Sequence, residues 1–259
     1  VLEIKSARKI FYRGQPDEKV ALDGLNLTLK TGDFGVVIGS NGAGKSSMLN
    51  AISGALSLDA GKILINSDDV TGMPVHKRAT RIARVFQDPM KGTAASMTIA
   101  ENMLLAELRA KSRSLRPGLN AQRIAAYRER LATLGLGLEN RLDTRVDLLS
   151  GGQRQSLSLI MAVSGEPDLL LLDEHTAALD PRTADLVMQA TIRAVDRLKL
   201  TTLMVTHNMQ HAIDYGSRVI MLDAGKVRLE IGDEEKKTIT VPELIGHFAV
   251  KSDRMLLAH

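Results

Sequence analysis

Apolar and polar residues are arranged differently in three stretches of the chain. From Val1 to about Ile38 the pattern predicts strands at Leu2 to Ile4, Ile10 to Tyr12 and Leu25 to Leu29, where apolar and polar positions alternate, and at the uninterrupted apolar run Phe34 to Ile38. This end therefore predicts an antiparallel, strand-rich unit closing on a buried strand. A glycine-rich loop follows Ile38, then Ser46 to Leu56 with helical composition, then a short strand at Lys62 to Ile65. Strand, glycine loop and helix in that order make an α/β unit.

Between Asp88 and Ser164 the pattern turns helical, with Ile99 to Lys111 and Gln122 to Leu134 joined by the turn-forming Arg116-Pro117-Gly118. A further helical run, Arg154 to Val163, closes this insert. Strands then resume at Leu169 to Leu172 and Thr202 to Val205, separated by a helix over Pro181 to Leu198, which implies a parallel sheet. The end reads as a hairpin, Arg218 to Leu222 and Lys226 to Ile231 around Asp223-Ala224-Gly225, and then a short helix opened by the capping-box spacing Thr240 to Glu243. The expectation is one domain over 1–259, with a core at 1–87 and 165–259 interrupted by a helical subdomain at 88–164. No repeat is evident, and little chain follows Ile231 for a further regulatory domain.

Composition narrows the function classes. A chain of 259 residues can bury a sizeable core without staples, and cysteine is absent, which excludes thiolate nucleophiles and Cys-ligated zinc. The 34 Lys and Arg against 30 Asp and Glu give +4, a weak bias toward anionic partners such as nucleotides or lipid headgroups. With 3% aromatic residues and no Trp, a base-stacking surface is poorly supplied, so no nucleic-acid partner is expected. No stretch reaches the roughly 18 apolar residues of a spanning helix, and Val1 opens no signal-like segment. The chain is expected neither to span a membrane nor to be secreted.

Chemistry concentrates in three places. Gly39-Ser40-Asn41-Gly42-Ala43-Gly44-Lys45-Ser46 fits G-x-x-x-x-G-K-[ST] between a strand and a helix. Its backbone N–H groups would turn onto phosphate oxygens, with Lys45 on the β- and γ-phosphates and Ser46 on Mg²⁺. Leu169-Leu170-Leu171-Leu172-Asp173-Glu174 is a buried strand ending in two carboxylates. Asp173 is the expected Mg²⁺ contact, direct or through water, and Glu174 the base that polarises an attacking water. Leu149-Ser150-Gly151-Gly152-Gln153 places a hydroxyl and a glycine pair at a helix start, a second phosphate-binding geometry.

The order of this loop, Gln87, the LSGGQ run, the LLLLDE run, Ala178-Leu179-Asp180 and His207 resembles the ATP-binding subunits of ABC (ATP-binding cassette) transporters over essentially the whole chain. The resemblance implies an α/β P-loop NTPase core, a mixed sheet with an antiparallel β subdomain, and an inserted α-helical subdomain carrying LSGGQ. It implies an ATPase using ATP and Mg²⁺, with Gln87 contacting Mg²⁺ or the water and Ser47 joining the ATP-binding loop. Ser150, Gly151, Gly152 and Gln153 would meet the ATP held by a second copy, with Asp180 communicating across that dimer. His207 would hold the γ-phosphate and orient Glu174. His207 and His211 also stand four residues apart, the helical spacing of metal ligands, but no third ligand lies near them in sequence. Phe11 or the adjacent Tyr12 would stack on adenine.

Three positions depart from the family pattern: His175 where Pro is common, Ala177 where Ser is frequent, and Ser47-Met48 where Thr-Leu is usual. None removes a catalytic group. Met90, Met97 and Met103 follow Gln87 where the family docks its membrane subunit, and core filling would explain them equally. The basic stretch Arg109 to Arg116 reads as a solvated face or a contact for lipid phosphates. The runs Asp173 to Asp180 and Thr201 to Asn208 look like ATPases of bacterial importers paired with tryptophan- or tyrosine-type binding proteins. That implies transmembrane permease subunits, an extracytoplasmic substrate-binding protein, and a peripheral place on the cytoplasmic face of the membrane. An exporter subunit or a soluble ABC ATPase, as in cluster assembly, are the alternatives.

Overall fold

A computed structural model describes residues 1–109 and 118–246. Arg116 and Pro117 of the turn expected at Arg116-Pro117-Gly118, and all of the basic stretch Arg109 to Arg116 but Arg109, lie outside the described residues. Two sheets, eight α-helices and a further helical run over 241–246 organise the described residues. The first sheet has the order β2-β1-β4-β5, built from β1 (Leu2–Phe11), β2 (Lys19–Leu29), β4 (Ala60–Ile65) and β5 (Asp68–Asp69), all antiparallel. The two strands expected before Tyr12 are one. Ser6, at φ 48°, bulges where Lys5-Ser6 breaks the alternation, and the register shifts between Ile4 and Ala7 while pairing continues.

The second sheet has the order β10-β9-β3-β8-β7-β6. Its strands are β3 (Phe34–Ile38), β6 (Ile82–Val85), β7 (Leu169–Asp173), β8 (Thr202–Val205), β9 (Arg218–Asp223) and β10 (Lys226–Ile231). All neighbours run parallel except the β9–β10 hairpin, which turns through Ala224 and Gly225, both at positive φ. Strand β6 was not expected, because Arg84 interrupts its short apolar run.

The helices are α1 (Lys45–Ser53), α2 (Val75–Arg78), α3 (Ile99–Glu107), α4 (Ala121–Ala132), α5 (Gly151–Val163), α6 (Pro181–Leu198), α7 (Met209–Asp214) and α8 (Asp233–Lys236). Local chemistry sets their ends. Helix α1 stops at Ser53, short of the expected Leu56, because Gly54 takes the left-handed conformation. Thr98 and Glu101 form a capping box on α3, which ends at Glu107 rather than Lys111. Ser150 and Gln153 cap α5 the same way, so that helix starts at Gly151 and not Arg154. Asp180 accepts from Thr183 N and Pro181 takes the first helical position of α6, whose buried Val187, Met188, Thr191, Ala194 and Val195 form one stripe. The Thr240–Glu243 capping box is present as well.

The second sheet is covered on both faces, and its strands alternate between two cores. Val36, Ile38, Leu170 and Leu172 join the core formed with α3, α4, α5, α6 and α7. Val37, Leu169 and Leu171 face the other way, into the core formed with α1 and the first sheet. Each of these leucines is fully buried, worth about 1.5–3 kcal/mol apiece. The loops after β3, β6, β7 and β8 leave the same edge of the sheet, where parallel α/β sheets gather their functional residues.

Candidate active site

Close approach of backbone requires glycine at two places in the loop between β3 and α1. A Cβ on Gly39 would stand 2.5 Å from Leu222 O, and one on Gly44, at φ 104°, would stand 2.5 Å from Ala21 O. These close approaches seat the loop against β9 and β2. No side chain caps the start of α1, so its leading N–H groups remain available to an anion. Lys45 is buried and folds back over the loop, donating to Gly39 O at 2.6 Å and Ser40 O at 3.0 Å. Burial lowers its pKa, and the carboxylate of Glu174 opposes that shift.

A cavity of about 210 Å³ lies over this loop, lined by Asn41, Gly42, Gly44, Lys45, Ser46, Ser47, Phe11, Lys19, Ala21, Glu174 and His207. Glu174 follows β7 at φ 47°, a left-handed conformation that costs a non-glycine residue about 1–3 kcal/mol and is typical of functional positions. Its backbone is held there by Glu174 N donating to Val205 O at 3.0 Å and Ala177 N donating to Glu174 O at 2.9 Å. Nε2 of His207 stands 2.6 Å from Glu174 Oε1. The metal alternative for His207 and His211 finds no support in geometry, since no group of three or more His, Asp or Glu side chains is poised for a metal among the described residues.

Phe11 lines the cavity, with Lys9 Nζ 5.8 Å from the centre of its ring. Tyr12 does not line it and is 60% exposed. Several expected residues lie elsewhere. Gln87 is exposed in the turn after β6, tethered indirectly by Gln155 Nε2, which donates to Phe86 O at 3.0 Å. Asp173 is bound by Arg84, Nη2 to Oδ2 at 2.6 Å. Ser150, Gly151, Gly152 and Gln153 sit apart with Asp180. A Cβ on Gly152 would come 2.1 Å from Thr183 Cγ2, so α5 and α6 touch at the very start of both helices. The hydrogen bonds of Asp180 to Thr183 hold its carboxyl below the usual range.

Lys19, Ala21 and Arg84 escaped the sequence reading. Lys19 reaches the site because it pairs with Phe11 across β1 and β2, a register visible only once the strands are aligned. Arg84 had a signal, a lone cation inside an apolar strand. A larger cavity of about 650 Å³ lies between α3, α4 and the start of β6 and contains none of the candidate residues. Met103 is fully buried, as core filling requires, whereas Met90 is exposed and touched by Arg154.

A glycine loop seated at a helix start, a lysine over it and a carboxylate–imidazole pair facing it define a P-loop nucleotide hydrolase. The model of the ABC transporter family matches residues 22–177. The chain belongs to that family, as one of its ATP-binding, ATP-hydrolysing subunits. It is 43% identical over 248 residues to the tyrosine transport ATP-binding protein of Clostridioides difficile, covering 96% of this chain and 98% of that one. It is 34% identical to the methionine import ATP-binding protein of Corynebacterium efficiens, covering 87% of this chain and 61% of that longer one. Among solved structures, the dimeric ATP-binding cassette MJ0796 with ADP and Pi superposes with a TM-score of 0.77 at 27% identity, covering 90% of this chain and 99% of that one. No helix among the described residues is long and apolar enough to cross a membrane.

Proposed function

We propose that this chain energises an importer of an amino acid or similar small solute, docked on the cytoplasmic face of the membrane against separate permease subunits and served by an extracytoplasmic binding protein. Similarity to ATPases of tyrosine and methionine transport supports import. The observation that carries the catalytic part is the Glu174–His207 pair, 2.6 Å apart, facing the loop that holds Lys45.

In this reading Lys45 exchanges its bonds to Gly39 O and Ser40 O for β- and γ-phosphate oxygens, so its charge meets phosphate without first being stripped of water. The α1 N–H groups, with Asn41 to Ser47, hold the phosphates, and Phe11 carries the adenine. His207 Nε2–H donates to Glu174 Oε1, fixing the carboxylate and leaving Oε2 to take a proton from the attacking water. Ser46, Gln87 and Asp173 supply hard oxygens, the donor set Mg²⁺ uses when phosphates complete its shell. Bound there, Mg²⁺ would neutralise β- and γ-phosphate charge.

Neither Ser150 to Gln153 nor Asp180 lines the cavity of its own chain. We assign them to the ATP of a second copy, so that 88–164 brings a second surface to a shared site and closure of two copies drives the permease. The dimeric cassette of similar fold supports this arrangement. The test is purification from the native cell in mild detergent with identification of partners, followed by ATPase assay of the recovered complex. An integral membrane protein and a binding protein, with transport-dependent turnover, are expected. Reproducible recovery with soluble partners alone would overturn the importer and leave a soluble ABC ATPase.

A further inference from the structure

Asp173 ends β7 immediately before Glu174, and its carboxylate already has a cation. Arg84, on the neighbouring parallel strand β6, donates from Nη2 to Asp173 Oδ2 at 2.6 Å. Its Nη1 reaches Asn50 Oδ1 on α1 at 2.7 Å, with Ser53 Oγ at 3.4 Å. The guanidinium carbon lies 4.8 Å from the centre of the Phe86 ring, one residue before Gln87. The two charged side chains are only 11% and 18% exposed. Arg84 Nε is buried without an acceptor, so the side chain is held by its terminal nitrogens, and Asp173 Oδ1 takes no hydrogen bond among the described residues.

One side chain thus joins the strand that carries Asp173, the helix that begins at Lys45-Ser46, and the ring beside Gln87. Those are the three places assigned above to hold a divalent cation. A planar guanidinium can serve two acceptors at fixed angles, which a lysine ammonium on a flexible stem does not reproduce. It also cancels much of the carboxylate charge that would draw a cation, and with so little water nearby the cancellation is strong. Mg²⁺ gives up its water reluctantly and leans on one or two carboxylates, so charge at a single one weighs heavily.

We propose that Arg84 is a positioning residue for the metal side of the site: it fixes Asp173 Oδ2, leaves Oδ1 for a divalent cation or its water, sets the spacing between Asp173 and Ser46, and holds down the site's affinity for divalent cations. This rests on the ATPase site described above and adds a residue that the loop and carboxylate motifs do not call for. Geometry is gained at the expense of metal affinity, so removing Arg84 moves the two in opposite directions.

The probe is Mn²⁺, titrated by electron paramagnetic resonance into the full chain with a non-hydrolysable ATP analogue, alongside ATP turnover in Mg²⁺. Arg84→Gln is expected to bind Mn²⁺ about fivefold more tightly, as loss of one nearby charge predicts, while turnover falls about tenfold. Arg84→Lys keeps the charge and loses the fork, so its Mn²⁺ affinity stays within about twofold of the native protein while turnover still falls. A loosened fold would weaken both properties together. Unchanged or weaker Mn²⁺ binding in folded Arg84→Gln overturns the inference alone. If that variant does not fold, native turnover in Arg84→Lys overturns it. Native protein that binds no Mn²⁺ with nucleotide overturns the reading of the site, and this assignment with it.

Discussion

Acid is expected to loosen the molecule through a histidine that takes no part in the chemistry. His175 follows Glu174 and is 2% exposed, with Nε2 3.1 Å from Thr191 Oγ1 on α6. The Thr191 hydroxyl donates onward to Val187 O at 2.8 Å, so the ring is the donor and carries its proton on Nε2. Burial above all, then nearby His211, pushes the His175 pKa down from 6.5 to about 4. His211 is itself lowered by burial, against the pull of Asp185 and Asp214. An unfolded chain therefore takes up a proton near pH 6.5 that the folded one refuses until about pH 4. The unfolded state binds more protons in that window, so this contribution to stability is complete above it and is lost as the pH falls through it. From those two values the loss is about 2 kcal/mol between about pH 7.5 and about pH 5. Urea unfolding of native protein and His175→Gln at both pH values isolates the effect, since every other group titrates in both. The native protein should lose about 2 kcal/mol more than the variant. Equal pH dependence in the two would refute the reasoning.

Glu174→Gln should lower ATP turnover by about 10²- to 10⁴-fold while ATP remains bound, read by phosphate release and nucleotide binding; a variant within threefold or so of native would place the base elsewhere. Phe11→Ala should weaken ATP binding about tenfold and Tyr12→Ala less than about twofold in equilibrium titration, and the reverse order would move the adenine to Tyr12. Arg78 is buried and donates to Ala51 O, Ile52 O, Thr71 O and Met73 O, closing the carboxyl end of α1. Arg78→Met should therefore cost about 2–4 kcal/mol in thermal or urea unfolding, and native stability would show that water replaces it freely.

Elements whose signal is local were readable in the sequence. Phe34–Ile38, Pro181–Leu198, Thr202–Val205 and Lys226–Ile231 have the expected bounds because an apolar run, a capped stripe or a glycine turn delimits each. The short helices Val75–Arg78 and Asp233–Lys236 were missed, being too brief for a helical period to register. The candidate site divides the same way. The glycine loop and the two carboxylates at the end of β7 each occupy one unbroken run and were legible residue by residue. The partners that tune them come from afar: Arg84 meets Asp173 across 89 positions, and Lys19 enters the cavity through strand register. Nothing in the text around Glu174 announces its left-handed backbone, which the surrounding hydrogen bonds impose.

Strand β7 has no face turned to water, since Leu169 and Leu171 belong to one core and Leu170 and Leu172 to the other. It is a beam clamped along both sides with its working tip protruding. Slack introduced on either side arrives at the same tip, so shortening Leu170 and shortening Leu171 would disturb opposite halves of the molecule and register at one pair of acids. The amides of this strand are expected to open only when both halves let go together, so they should rank among the slowest to exchange of the described residues, directly beneath the residues with the most chemistry to do.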